Sequence, residues 1–294
     1  MVSSFRARHL SIVGLGLMGG SLALALRPFA DAITGVDPKA EARHYALAQR
    51  IVDHTTDDLR AGVEDADVVI IAAPVRVIIS IVKGRIGAYL RSNTLLIDIG
   101  STKEDICTAM GHLPIGIQAV GGHPMTGKES SGVEASDAGL YTGRPFVLCP
   151  TRRTTPAARL RALALVEALR AVPVEMDATR HDRAVAAISH LPYLLSAALV
   201  ATVDYDGRDD DAVWTLAAGG FRDMSRLAVQ DLDMMKDILT TNTQAVATQL
   251  ALFRMQLAML EAMLISKDEM KLAELLQSAR EARLAWMRKR EGKA

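Results

Sequence analysis

The chain of 294 residues carries 34 basic and 34 acidic side chains, is half hydrophobic, and has only 4% aromatics. Such a length holds about two domains at roughly 100–200 residues each, and a formal charge of zero gives no reason to expect a nucleic-acid or anionic-membrane partner. Cys107 and Cys149 are too few for a disulfide framework or a cysteine-rich metal site, no metal cofactor is expected, and two lone thiols fit the cytoplasm.

Residues 10–26 follow Arg6 and Arg8 as the core of a signal peptide does. They hold Gly14, Gly16, Gly19 and Gly20 and lead to no evident small-residue cleavage site, so they read as strand, turn and helix. β-branched runs recur at 9–14, 32–37, 67–74, 94–100, 117–122, 145–150 and 172–177. Between most of them lie stretches of helical periodicity at 17–28, 39–50, 75–90 and 156–170. Continuous apolar strands joined by helices predict βαβ units and a Rossmann-type parallel sheet covered on both faces, an α/β domain over 1–177.

Gly14-Leu15-Gly16-Leu17-Met18-Gly19 follows the first strand and opens the first helix. The first glycine permits a tight turn, the second lets backbone approach a pyrophosphate, and the third lets helix and strand pack closely. The helix N-terminus favours the phosphate charge. Asp37 ends the second run, 21 positions beyond Gly16. A carboxylate there accepts from ribose hydroxyls and repels a 2′-phosphate, so the predicted cofactor is NAD. The plainer reading makes Asp37 a helix N-cap with Pro38 as first helical residue, and Arg43 keeps NADP in view.

Ligands of an open parallel sheet bind at the carboxyl ends of its strands. Three loops lie there: Ala72-Ala73-Pro74-Val75, which would run along the cofactor, Asp98–Glu104, and Gly121–Gly132. His123 stands at a strand end in a glycine-rich loop, a place suited to a general base, although such histidines also hold loops. Ser101-x-x-Glu104 is a capping box, so Ser101 has a purely structural reading, and Lys103 reads as a solvated first-turn lysine.

From about residue 180 the strand signal stops. Stretches 182–203, 232–265 and 268–290 read as long helices of an all-helical domain over 178–294, with a polar break at 204–211 and a capping box at Ser266–Glu269. Residues 185–203 carry no charge but include His190, Pro192 and Tyr193 and read as a buried core helix, not a membrane span. His190 taken alone is a satisfied core histidine. After Gly219 and Gly220, Arg222 and Arg226 stand four apart and share a helix face, either as a surface pair or as a fork for an anionic substrate. In 243–264 apolar residues spread around the whole wheel, which predicts a second copy of the chain as cover.

In order and spacing, Gly14–Gly19, Asp98-x-Gly-Ser101-x-Lys103, His123-Pro-Met-x-Gly127-x-Glu129-x-x-Gly132, Ser189-His190-Leu-Pro and Gly220-Phe-Arg-Asp-x-Ser-Arg226 closely resemble the prephenate/arogenate dehydrogenase family of tyrosine biosynthesis over about residues 10–290. The resemblance implies NAD-dependent oxidative decarboxylation of prephenate to 4-hydroxyphenylpyruvate, or of arogenate to tyrosine, by a homodimer joined through its helical domain. It implies that His123 is the catalytic histidine and that Ser101 positions the substrate hydroxyl and that histidine. Arg226 binds a substrate carboxylate, Arg222 reaches the partner subunit's site, and His190, Thr126 and Gly127 line the pocket. Thr126, where the family commonly has Ala, and Tyr193, where some members have His, leave prephenate and arogenate both open. No fused mutase is expected before residue 10 and no regulatory βαββαβ unit after 265. A β-hydroxyacid dehydrogenase would share the GLGLMG start but relies on a lysine in its helical domain and lacks the His-Pro-Met loop. A non-catalytic NAD-sensing protein would have no use for His123, Ser101 and Arg226 together.

Overall fold

The β-branched runs pair into one sheet. The computed structural model describes residues 5–128, 130–208 and 210–291. Among these, β1 (Ala7–Val13), β2 (Ala30–Val36), β3 (His54–Thr56), β4 (Val68–Ile71), β5 (Leu95–Asp98), β6 (Gln118–Pro124), β7 (Pro145–Pro150) and β8 (Val172–Glu175) lie in the order β3-β2-β1-β4-β5-β6-β7-β8. The first six strands are parallel in the dinucleotide-binding order, which reverses between β1 and β4. Alternate residues serve different cores. Val68, Ile70, Leu95 and Ile97 face one side, and Val69, Ile71 and Leu96 the other. The strand sequences are apolar without alternation because both faces are covered.

The sheet is not parallel throughout, which corrects the expectation. β7 runs antiparallel to β6, with His123 opposite Val147, and β8 is parallel to β7. Among its described residues the connection after β6 holds no crossover helix, only a short 3-10 turn at Val133–Ala135, and without a crossover a chain returns antiparallel. β3, a polar three-residue edge strand, was not predicted.

The helices flanking the sheet are α1 (Leu17–Leu26), α2 (Ala40–Ala48), α3 (Leu59–Val63), α4 (Val75–Lys83), α5 (Ile86–Tyr89), α6 (Glu104–Gly111) and α7 (Pro156–Ala168). There follow α8 (Ala178–Val185), α9 (Leu191–Asp206), α10 (Ala212–Thr215), α11 (Gly219–Ser225), α12 (Leu232–Thr241), α13 (Thr243–Ser266) and α14 (Glu269–Glu291). By contacts the chain divides into two units, Met1–Thr243 and Gln244–Ala294.

Within the first unit, α8 and α9 form one helical run interrupted by a π turn at Ala186–His190. Pro192 cannot donate to the carbonyl four residues back, which loosens the ladder there. This run was expected to be a core helix, yet only 33% of its most apolar window is buried. A single helical layer cannot surround it. The predicted continuous helix over 232–265 also breaks. Asn242, at φ −131, separates α12 from α13, and its side chain serves the site described below.

In the second unit the expected capping box at 266–269 is replaced. Ser266 belongs to α13 and its hydroxyl donates back to the Ala262 carbonyl at 2.8 Å, while the Asp268 carboxylate accepts the Lys271 N–H at 3.1 Å. Val246 is the buried residue of α13, and Leu252, Met255, Leu257, Leu264 and Ile265 are exposed. By length and composition, the runs Ala178–Asp206 and Thr243–Ser266 are each apolar enough to cross a membrane.

Candidate active site

At the carboxyl end of β1 the three glycines occupy three different situations. Gly14 sits at φ +103, and a Cβ on it would lie 2.2 Å from the Ala72 carbonyl oxygen. A Cβ on Gly19 would lie 1.8 Å from the Gly14 oxygen, so α1 packs on the turn as only glycine allows. Gly16, at the N-cap of α1, faces open space: nothing lies within 4 Å of a Cβ there. No side chain caps α1 and no acid occupies its first turn. Its amides and the clear side of Gly16 fit a pyrophosphate. Leu15 and Leu17 are buried below the turn, and the Met18 carbonyl accepts from the Tyr141 hydroxyl at 2.7 Å. Ala73 is half-buried and Pro74 exposed, on the loop whose Ala72 touches Gly14.

Asp37 does more than await a ribose. Its Oδ2 accepts the Leu15 N–H and its Oδ1 the Lys39 N–H, each at 2.8 Å. A carboxylate has about four acceptor sites, so hydroxyls can still be bound. Because α2 begins at Ala40 with Lys39 at its N-cap, Pro38 precedes the helix, contrary to expectation. The Arg43 guanidinium donates to the Asp37 and Pro38 carbonyls at 2.7 and 3.0 Å and pairs with Asp57 at 3.2 Å, so it is engaged locally.

At the end of β6, parallel to β1, stands His123. Its Nδ1 is 2.8 Å from Nε2 of His181, whose Nδ1 is 2.7 Å from Oδ1 of Asp182. His181 and Asp182 are buried on α8, and the two rings meet edge to face at 5.0 Å. The Asp182 carboxylate also accepts the N–H groups of Lys103 and Glu104 at 2.8 and 2.9 Å. It therefore caps α6 from 78 positions away, and the expected Ser101 capping box does not form. Ser101 is half-buried at the same strand-end loop.

Lys103 overturns the solvated reading: it is fully buried and its ammonium pairs with Asp98. Asp98 also accepts the N–H of Gly100 at 2.8 Å and of Gly122 at 3.1 Å, which ties the β5 loop to the residue preceding His123. Burial holds the His123 imidazole well below its ordinary pKa, and the nearby Lys103 ammonium acts in the same direction. The ring is thus neutral at physiological pH, as a proton acceptor must be.

His190, at the end of the π turn, is 2% exposed. The Asn242 amide nitrogen donates to the Asp182 carbonyl at 2.8 Å, which fixes its orientation, and faces His190 Nδ1 at 3.3 Å. Burial lowers the His190 pKa to about 4, against the pull of the Asp182 charge. Thr126 donates to the Leu140 carbonyl at 3.2 Å, and Gly127 is exposed with open space where a Cβ would be. Glu129 lies outside the described residues. Tyr193 packs with Met235 and Ile238. Arg222 and Arg226 do not share one helix. α11 ends at Ser225 and Arg226 opens a 3-10 turn. Both are exposed, with Arg222 3.4 Å from the Asp223 carboxylate.

Residues 22–175 match the family model described as prephenate dehydrogenase, nucleotide-binding domain, and residues 177–278 that described as prephenate dehydrogenase, dimerization domain. The glycine turn precedes the first matched span. A prephenate dehydrogenase of Lactococcus lactis subsp. cremoris is 30% identical over 282 residues, 95% of this chain and 77% of that protein. The crystal structure of prephenate dehydrogenase from A. aeolicus with hydroxyphenyl propionate and NAD+ is similar at a TM-score of 0.88 and 31% identity, over 96% of this chain and 99% of that one. The Synechocystis arogenate dehydrogenase structure gives 0.83 and 28%, over 95% and 99%.

Proposed function

The chain belongs to the prephenate dehydrogenase family, and on that premise we propose that it oxidises and decarboxylates prephenate with NAD in tyrosine biosynthesis. The products are 4-hydroxyphenylpyruvate, carbon dioxide and reduced cofactor. The observation that carries this reading is a neutral histidine, His123, at the same end of the sheet as the open glycine turn.

Prephenate is a cyclohexadienol with a carboxylate on the ring carbon opposite the carbinol. Bound NAD supplies the acceptor for the hydride that leaves the carbinol carbon. His123 takes the hydroxyl proton as the carbonyl develops. The bond from the ring to its carboxylate then breaks, carbon dioxide leaves, the ring becomes aromatic, and the proton held by His123 returns to the phenolate oxygen. Aromatisation supplies the drive, so the protein needs orientation, one proton acceptor and an anion clamp. Ser101 orients the hydroxyl, and Arg226 grips a carboxylate. His190, Thr126 and Gly127 border the substrate. Residues 1–177 hold the cofactor and 178–294 hold substrate and the second copy, whose site Arg222 reaches. The engaged Arg43 and the Asp37 carboxylate support NAD over NADP. Two buried free thiols, Cys107 and Cys149, support a cytoplasmic enzyme.

The test is the appearance of reduced nicotinamide with prephenate and then with arogenate. Turnover of prephenate with NAD is expected. Turnover of arogenate alone would move the substrate to its amino analogue, and turnover of neither would overturn the reading.

A further inference from the structure

We infer that His181 and Asp182 are positioning residues that fix which nitrogen of His123 is the base, leaving its Nε2 unprotonated toward the substrate. The inference rests on the proposed role of His123 as proton acceptor and goes beyond it by naming the atom and what selects it.

Asp182 is the fixed end of the chain of contacts. Its carboxylate receives the Lys103 and Glu104 amides as well as the His181 ring. An acceptor already serving two backbone donors requires a donor from His181, so the His181 proton is on Nδ1. A single proton on His181, the state the inference assigns it, leaves Nε2 as the acceptor. Among the described residues its hydrogen-bond partner is His123 Nδ1 at 2.8 Å, which then donates. A neutral imidazole with its proton on Nδ1 has its lone pair on Nε2. The far end of this chain of contacts is anchored. Asp182 is held by the start of α6 and, through its carbonyl, by Asn242, and both His181 and Asp182 are 2% exposed or less. The arrangement resembles in logic the orienting carboxylate of a catalytic triad, with a second imidazole interposed. It also assigns a task to the residue pair that begins the helical region. A cap on α6 needs a carboxylate at 182, but it does not need a histidine at 181 aimed at His123.

The test reads the tautomer directly and then perturbs it. Nitrogen-15 NMR of the intact enzyme, with His123 assigned by its loss in H123N, is expected to show a protonated Nδ1 and a bare Nε2. H181L, which cannot accept, is expected to lower kcat by about 10²–10³ while the KM for NAD stays within about two-fold, because the base is then wrongly protonated rather than the cofactor displaced. H181Q, whose side-chain oxygen can accept from Nδ1, should recover kcat to within about ten-fold of the parent. A proton on Nε2 of His123 in the parent enzyme, or an H181L kcat within about three-fold of it, overturns the inference. Should H181L not fold, the parent spectrum decides alone. The base role itself fails only if H123N keeps its activity, so the two failures are distinct.

Discussion

A histidine that must accept a proton is useful only if it is neutral beforehand, and burial near the Lys103 ammonium secures that for His123. Replacement by Asn keeps size and removes basicity. H123N should retain NAD binding and lose about 10²–10⁴ in kcat, and a kcat within two-fold of the parent would remove His123 from the mechanism. Because its pKa is depressed, the acid limb of kcat/KM should bend well below pH 6.5. His190 carries a stability consequence with the same sign. Its folded pKa of about 4 lies below the unfolded value of 6.5, so the unfolded chain binds the proton first. The His190 contribution to stability is level above pH 6.5 and falls by roughly 3 kcal/mol toward pH 4. Thermal unfolding followed across that window should show the loss, and H190Q should flatten part of it; equal slopes would mean His190 is not the group responsible. His123 was readable because strand end, glycine loop and motif coincide within a few positions. His181 was not: it lies 58 positions downstream, and only the packing of α8 against the end of β6 makes it a neighbour. Lys103 was misread for the same reason. Ser101-x-x-Glu104 is a local capping signal, and its amides were taken instead by Asp182 from far along the chain.

Among elements, the turn between β1 and α1 separates binding from folding by glycine position. Gly16→Ala places a methyl in open space at φ −92, so the fold should be untouched and the melting temperature nearly unchanged. That methyl occupies the side where a pyrophosphate approaches, so the KM for NAD should rise about ten-fold or more, on the order of 1.4 kcal/mol. Gly19→Ala meets the Gly14 oxygen at 1.8 Å and should lower the melting temperature by several degrees, since overpacking costs about 1–3 kcal/mol. Exchange of these two outcomes would mean that the dinucleotide does not cross Gly16. The strands of the sheet were legible because uninterrupted apolar runs between helices have few other uses. The direction of β7 was not, because it depends on the missing crossover after β6, and loop composition does not reveal that. The break at Asn242 was hidden too. The apolar pattern continues across it, and the reason for the break, a side-chain amide bonded to the Asp182 carbonyl, is tertiary.

At the scale of the whole molecule the unresolved quantity is the apolar surface of the helices beyond the sheet. The α13 stretch has none of its most apolar window buried, and the run from α8 to α9 only a third. Isolated apolar residues on a surface are ordinary, but Leu252, Met255, Leu257, Leu264 and Ile265 on one helix form more than scattered exposure. Apolar residues spread around the wheel demand cover on several sides, and a dimerization-domain match over 177–278 names the kind of cover. A second copy is expected to supply it, and a two-fold arrangement would set equivalent helices against each other. An interface built from such helices should exceed about 2,000 Å² and be obligate in character, without a stable folded monomer. Light scattering at micromolar concentration should give a mass near twice the 31.6 kDa of the chain. M255E combined with L257E places charges on that surface, and the pair should dissociate or unfold together with loss of activity. If instead the double variant is a folded monomer with full turnover, neither the obligate dimer nor a role for Arg222 in the partner's site survives. Loss of activity on dissociation while each His123 stays neutral and NAD still binds would locate the deficit in the residues the second copy brings.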